Sequence, residues 1–276
     1  MKYRAVIRDA AFMKNFLNIV TTLAKCGKDI VFNIKYDRLV LGVNMEVHHV
    51  APPIWCEIAN EACFDEYYMD GLSETYNEIV LLMKASNLVT ALGNSRNMDA
   101  SFVKLKLMNK NIACLCVEIE SPSSVSTKSR PIICDVPVTV VSRRDWREYQ
   151  LPELPPFEMT VGMPNVKSIR SMIDHMKNSS TLMTVQTAKE GTVSFIVEST
   201  MVKCSCICED QNVFSVGIED KHSCQIDTKK LALFFVSSQF PNSPMRCSIS
   251  EAHLVRFEVE IQDKIVMTCV IPASSD

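Results

Sequence analysis

The chain has 276 residues, a length that suits two domains of ordinary size better than one. Its composition, 47% apolar and 22% charged, is that of a packed globular protein and excludes a disordered polar chain. A net charge of -3 excludes a basic nucleic-acid coat, so any phosphate binding has to come from a local concentration of Lys and Arg.

At the N-terminus Lys2, Arg4, Arg8 and Asp9 interrupt the apolar residues before the core of an export signal can form. No run approaches the roughly 18 apolar residues of a membrane span. A soluble, unexported chain with no membrane partner is expected, and the 12 cysteines are then expected to stay reduced and to behave as small apolar side chains.

In chain order, "KYRAVIR" alternates as a strand does and runs into "DAAFMKNFLNIVTTLAKCG". There Asp9 suits an N-cap, Phe12, Phe16, Ile19 and Leu23 recur at helical spacing, and Gly27 marks the end. Strand patterns follow in "IVFNIKY", "RLVLGVN", "IWCEIA", "CFDEYYMDG" and "EIVLLM". A short helix, "ASNLVTALGNS", precedes the strands "FVKLKLM", "IACLCVEIE" and "IICDVPVTVV", the first two joined by a turn at "NKN".

The second half repeats that order. "FEMTVGM" is a strand, "NVKSIRSMIDHMKN" a helix with Val166, Ile169, Ile173 and Met176 inward, and "TLMTVQTAK" with "TVSFIVEST" a hairpin across Glu190-Gly191. "VKCSCICE" and "FSVGIE" continue the sheet, "DTKKLALFFVSSQ" is a helix capped by Asp227, and "MRCSISE", "LVRFEVEIQ" and "IVMTCVIP" close the chain as strands. Both halves read as strand, helix, five strands, helix, three strands, and "EIVLLMKASNLVTAL" matches "SCQIDTKKLALFF", with Leu88 and Leu231 in equivalent places. The pattern predicts a duplicated α+β domain.

Between the halves lies "DVPVTVVSRRDWREYQLPELPPFEMTV", and half of the prolines fall around it, from Pro131 to Pro164. Proline cannot serve a central strand ladder and favours extended connections. The expected division is 1–134 for the first domain, 135–156 for its last strand and the connector, and 157–276 for the second domain. The connector carries Arg143, Arg144 and Trp146. Trp146 reads as an anchor pinning the connector to the sheet, with Arg143 and Arg144 solvated beside it.

Catalytic signatures are missing. There is no "GxxxxGK[ST]" and no "GxGxxG", and seven dispersed glycines offer little from which to build a phosphate-cradling loop. His48, His49, His175, His222 and His253 come without a zinc-protease or hydrolase motif, and His48-His49 reads as a solvated loop. Cys204, Cys206 and Cys208 alternate along one strand and so share a face with Val202; without a C-x2-C pair they read as an apolar sheet face, and Cys114 and Cys116 repeat the pattern. No enzyme, cofactor or metal site is expected.

What the helices carry is positive charge. Opposite the apolar stripe of the first helix stand Lys14, Asn18, Thr21 and Lys25, free of acids. The third helix carries Lys167, Arg170 and Lys177 with only Asp174 opposing, the fourth begins with Lys229 and Lys230, and Lys84 leads into the second. Such faces suit phosphate contacts without base readout, which permits sliding on duplex DNA. Open antiparallel sheets also leave edge strands, through which two-domain subunits can join head to tail into a closed ring.

The opening "MKYRAVI", the strand "WCEI", the block "MDGLSETYNEIVLLMKASNLVTAL" with "VKLKLMNK" behind it, the junction "DVPVTVVSRRDW" and the close "VIPA" together resemble the Hus-one family. That family is the Hus subunit of the checkpoint sliding clamp, whose other members are the Rad-nine and Rad-one proteins. The likeness is strongest from Ile54 to Asn109 and from Asp135 to Lys177, and weak from about Gln186 to Lys221. It implies a PCNA-like DNA clamp of the α+β class, two similar domains each with two helices on an antiparallel sheet, three subunits per ring, and helices lining a central hole. It further implies Rad-nine-like and Rad-one-like clamp subunits as partners, and loading onto double-stranded DNA at damage sites by an ATP-dependent checkpoint clamp loader. Checkpoint activation, docking of repair enzymes with Arg143, Arg144 and Trp146 of the connector as the candidate client-docking residues, a role in the cell cycle and meiosis, and residence in the nucleus with a cytoplasmic pool follow from the same resemblance. The alternative is a homotrimeric replication processivity clamp of the PCNA kind.

Overall fold

The computed structural model describes residues 1–45, 51–95, 100–120, 131–199 and 203–274. These fall into two units, one drawn from residues 1–47 and 55–151, the other from 48–54 and 152–276.

In unit 1 the elements are β1 (Lys2–Ile7), α1 (Ala10–Cys26), β2 (Asp29–Ile34), β3 (Arg38–Val43), β4 (Ile54–Ala59), α2 (Asn60–Cys63), β5 (Glu66–Asp70), β6 (Ile79–Lys84), α3 (Ala85–Gly93), β7 (Phe102–Asn109), β8 (Ala113–Glu120), β9 (Ile132–Pro137) and β10 (Thr139–Val140). The strands order as β5-β1-β7-β8-β9 and as β10-β6-β2-β3-β4. Asp9 caps α1 by accepting from the Phe12 N–H at 2.6 Å. The stripe Phe12, Phe16, Ile19 and Leu23 is buried, each such side chain worth roughly 1.5–3 kcal/mol relative to exposure. Phe12 meets Phe64 edge to face at 5.4 Å, so α1 is seated by an aromatic contact as well as by area, and Tyr3 of β1 meets Phe32 of β2 at 6.1 Å. Gly27 ends the helix in extended backbone, and its missing side chain is needed because a Cβ there would stand 2.7 Å from Val43 Cβ.

Unit 2 contains β11 (Met159–Met163), α4 (Val166–Met176), β12 (Leu182–Ala188), β13 (Thr192–Glu198), β14 (Lys203–Cys208), β15 (Val213–Ser215), β16 (Lys221–Asp227), α5 (Thr228–Ser237), β17 (Met245–Ser250), β18 (Leu254–Gln262) and β19 (Ile265–Pro272). Its strands order as β14-β13-β12-β16 and as β15-β11-β17-β18-β19. Val166, Ile169, Ile173 and Met176 are the buried stripe of α4, as their spacing predicts. The β12–β13 hairpin turns at Gly191, whose φ of 82 lies in the left-handed region that a side chain resists. In each unit two helices pack together, α1 with α3 and α4 with α5. The order strand, helix, five strands, helix, three strands holds in unit 2, and in unit 1 once the four-residue α2 is set aside and β9 and β10 are counted together.

Two details differ from the sequence reading. The run "IICDVPVTVV" is broken at Val138 into β9 and β10, and α2 interrupts the run from "IWCEIA" to "CFDEYYMDG". The connector between Asp135 and Leu151 groups with unit 1, for the side-chain reasons given below. Among the described residues, no helix is long and apolar enough to cross a membrane.

Candidate nucleic-acid interface

Lys14 and Lys25 project from α1 into solvent, and Lys167 and Lys229 do the same from the first turns of α4 and α5; Lys230 is half-buried. Among the described residues no carboxylate stands within ion-pair distance of any of these five. The other predicted cations are committed. Lys84, at the N-cap of α3, pairs with Asp29 at 2.7 Å, and Lys177 pairs with Asp174 at 2.8 Å. That ammonium hydrogen-bonds the Asp174 carboxyl and holds it below the usual carboxylate range.

Arg170 is placed differently again. Its half-buried guanidinium donates from Nε to the Phe235 carbonyl at 2.9 Å and from Nη2 to the Ser238 carbonyl at 2.5 Å. Those carbonyls belong to the C-terminal end of α5, where backbone acceptors lack helical partners, so Arg170 ties α4 to the end of α5. Arg170→Gln is expected to destabilise unit 2 by about 2–3 kcal/mol, the loss of two charge-assisted hydrogen bonds. Its denaturant midpoint measures this, and the salt dependence of DNA retention should not change.

The four longer helices share a feature that the periodicity argument missed: none carries an acid in its first turn. Helix N-termini are positive, and an acid there stabilises by typically 0.3–1 kcal/mol whereas a cation costs a similar amount. Helix stability therefore gives no reason for Lys167, Lys229 and Lys230 to stand where they do. At α4, whose cap Asn165 is neutral, attraction of an external anion does, because a helix N-terminus and a lysine reinforce one another at a phosphate; at α5 the Asp227 carboxylate already accepts from the Lys229 and Lys230 N–H groups, and only the lysine side chains are left to an anion.

In the connector, Arg143–Tyr149 forms a 3-10 segment. Trp146 is 9% exposed, and its indole N–H donates to the Val141 carbonyl at 3.1 Å. Arg143, although exposed, stacks over the Tyr76 ring at 3.4 Å from its centroid, while Arg144 is exposed. Gln150 donates to Glu78 at 3.0 Å and accepts from Lys35 at 3.4 Å. Trp146, Arg143 and Gln150 together hold the connector against unit 1, and the tryptophan offers no open ring face to a client.

On β14, Cys204, Cys206 and Cys208 alternate with exposed Lys203, Ser205 and Ile207, so the cysteines share a half-buried face as expected; Val202, like His48 and His49, lies outside the described residues. None of the twelve cysteines forms a disulfide among the described residues. Burial pushes the thiols of Cys208 and Cys224 up to about 11, with Cys206 adding to the first shift and Glu251 to the second. A raised thiol pKa leaves only about one thiolate in a thousand at pH 8. In the folded protein Cys208 and Cys224 are therefore expected to resist iodoacetamide at pH 8, as read by mass spectrometry, and to label once the chain is unfolded.

One group of metal-ligating side chains comes together among the described residues: the ligand atoms of Glu219, His222 and Glu251 lie within 4.8 Å of one another. The carboxylate of Glu251 only accepts, so the 3.2 Å approach to Nδ1 of His222 puts the imidazole proton on that nitrogen. The other nitrogen is covered by Gly217, where a Cβ would stand 2.5 Å from Nε2. The ring is used as a buried hydrogen-bond donor to Glu251.

A family model described as Hus1-like protein matches residues 1–275. A Drosophila melanogaster protein named "Checkpoint protein Hus1-like" is 30% identical over 275 residues, which cover 99% of each chain. A Homo sapiens protein named "Checkpoint protein HUS1" is 29% identical over 284 residues, covering 100% of each. Among solved structures, Proliferating Cellular Nuclear Antigen from Entamoeba histolytica superposes with a TM-score of 0.74 at 14% identity, covering 99% of each chain. PCNA from Thermococcus kodakaraensis does so at 0.72 and 13%, covering 98% of this chain and 99% of that one. The two PCNA likenesses carry the fold, PCNA-like and α+β; the family match carries descent.

Proposed function

The chain belongs to the Hus1-like family, and from that premise we propose that it is a non-catalytic subunit of a DNA-damage-checkpoint clamp, a ring that encircles duplex DNA. The observation that carries the DNA contact is the absence of acids from every long-helix first turn, combined with unpaired lysines at two of those turns. Lys14, Lys25, Lys167, Lys229 and Lys230 are the cations assigned to phosphates, with Lys84 and Lys177 available only after leaving Asp29 and Asp174.

Assembly follows from the sheet edges. β9 and β14 are outer strands of six residues, and each shows an exposed isoleucine, Ile133 and Ile207. An unpaired edge of that length is a template for another chain, and two different edges on one subunit make a heterologous contact that closes into a ring. The partners are Rad-nine-like and Rad-one-like subunits, the ring is set on DNA by an ATP-dependent clamp loader in the nucleus, and repair enzymes use it as a platform. The homotrimeric reading is not favoured: the full-length matches are to proteins named as checkpoint proteins, whereas the PCNA likeness is one of fold at 13–14% identity.

Light scattering after size exclusion tests this. A monomer that joins a stable complex only with both partner subunits is the expected result, and a stable homotrimer of this chain alone overturns it. Ser205→Pro, which places a residue without an N–H on β14, is expected to lower complex formation at least tenfold while leaving the monomer folded.

A further inference from the structure

On unit 2, away from the helices and from β14, the solvent side of β11, β17 and β18 holds a groove of about 380 Å³, at the small end of the roughly 300–1,000 Å³ of ligand pockets. Part of its lining is Gly162 of β11, which presents no side chain, and apolar wall comes from Phe214, Pro244 and Val266. Its charge is unbalanced. Asp210, Glu258 and Glu260 line it against the single cation Arg246. Arg246 already pairs with Glu260 at 3.6 Å and covers the Phe214 ring at 4.3 Å. Glu258 is met by Arg256 at 3.3 Å, but Asp210 has no cationic partner among the described residues.

An acidic groove with apolar walls suits a side chain that is apolar along its stem and cationic at its tip. The groove is bordered by β15, the outermost strand of its sheet. From β15 onward Phe214, Val216 and Ile218 are exposed at alternate positions, by 52%, 55% and 97%. A short edge strand continued by exposed apolar side chains at two-residue spacing favours an extended segment over a free cation, since backbone pairing and alternate side chains are both available to it. We propose that this groove is a docking site for an extended segment of a partner protein, which lays an arginine or lysine over Gly162 toward Asp210 and sets apolar residues along Phe214, Val216 and Ile218. The site is distinct from the lysines assigned to DNA and from the edges assigned to ring closure, so the proposal stands whether or not that assembly is correct.

The probes are fluorescein-labelled decapeptides of alternating valine and threonine with arginine, citrulline or glutamate at the centre, titrated onto the full chain by fluorescence anisotropy. The arginine peptide is expected to bind at least tenfold more tightly than the other two. Gly162→Leu is expected to remove that binding, because a Cβ there meets nothing closer than 3.4 Å and the added side chain fills the groove without displacing backbone. Asp210→Asn is expected to weaken the arginine peptide severalfold while changing the glutamate peptide little. If either variant unfolds, methyl NMR of wild-type Val266 decides: shifts saturating with the arginine peptide support the site. Equal binding of arginine and citrulline peptides, no shift at Val266, or spermine displacing the peptide mole for mole each overturns the proposal.

Discussion

Replacing Lys14, Lys25, Lys167 and Lys229 together by glutamate is expected to shorten the lifetime of the assembled clamp on DNA and to flatten its salt dependence. Each phosphate left without its lysine takes about 0.9 from the slope of log affinity against log salt, so four such phosphates take roughly 3–4. Between 50 and 200 mM salt the wild type should then lose about a hundredfold more affinity than the variant loses. Stability should hardly move. Lys167 stands in a first turn without an acid, behind the neutral cap Asn165, and a glutamate there favours its helix by about 0.3–1 kcal/mol, whereas at Lys229 the Asp227 cap carboxylate already occupies that helix end. Lys25 is in the last turn of α1, where its charge suits the helix, so Lys25→Glu subtracts a similar amount. The variant is thus expected to melt close to the wild-type temperature while holding DNA poorly. A slope unchanged within about 0.5 would mean that these lysines are ordinary solvated charges.

Comparison with Arg170 separates the two kinds of cation. On the helical wheel it belongs with Lys167 and Lys177, and from the sequence it carries the same expectation. Its acceptors, Phe235 and Ser238, are 65 and 68 residues away, and no local pattern announces that α5 will end beside it. Periodicity decided what was legible: the doubled order of elements, the stripes of α1 and α4, and the caps Asp9 and Asp227 are all local signals. α2 escaped because four residues are about one turn and leave no period. The groove escaped because "FEVEI" in β18 reads as one buried and one solvated face; only the fold brings Glu258 and Glu260 beside Asp210 and opposite Gly162. The proline-rich junction signalled a connector, but its attachment to unit 1 rests on Tyr76, Glu78 and Lys35, which lie far back along the chain.

Trp146→Ala is expected to destabilise unit 1 by about 3–4 kcal/mol, a fall in melting temperature on the order of 10 °C. The ring is almost wholly enclosed, so truncation leaves a large cavity beneath the 3-10 segment, and the Val141 carbonyl loses its indole donor. Trp146→Phe keeps most of the apolar packing and loses that hydrogen bond, and should cost about 1–2 kcal/mol. The neighbouring stack gives an internal control. Arg143→Ala removes the cation over Tyr76 at an exposed site, worth about 0.5–1 kcal/mol, and should leave the tryptophan buried. Tryptophan fluorescence distinguishes the cases: Trp55 is buried as well, so a red shift in Arg143→Ala would report that Trp146 had come loose. If Trp146→Ala melted with the wild type yet abolished capture of a repair enzyme, the ring would be a recognition element. A client bound at the connector would instead contact the exposed Arg144 and the outer edge of the Arg143–Tyr76 stack, and Arg144→Glu should weaken such a client without moving the melting temperature.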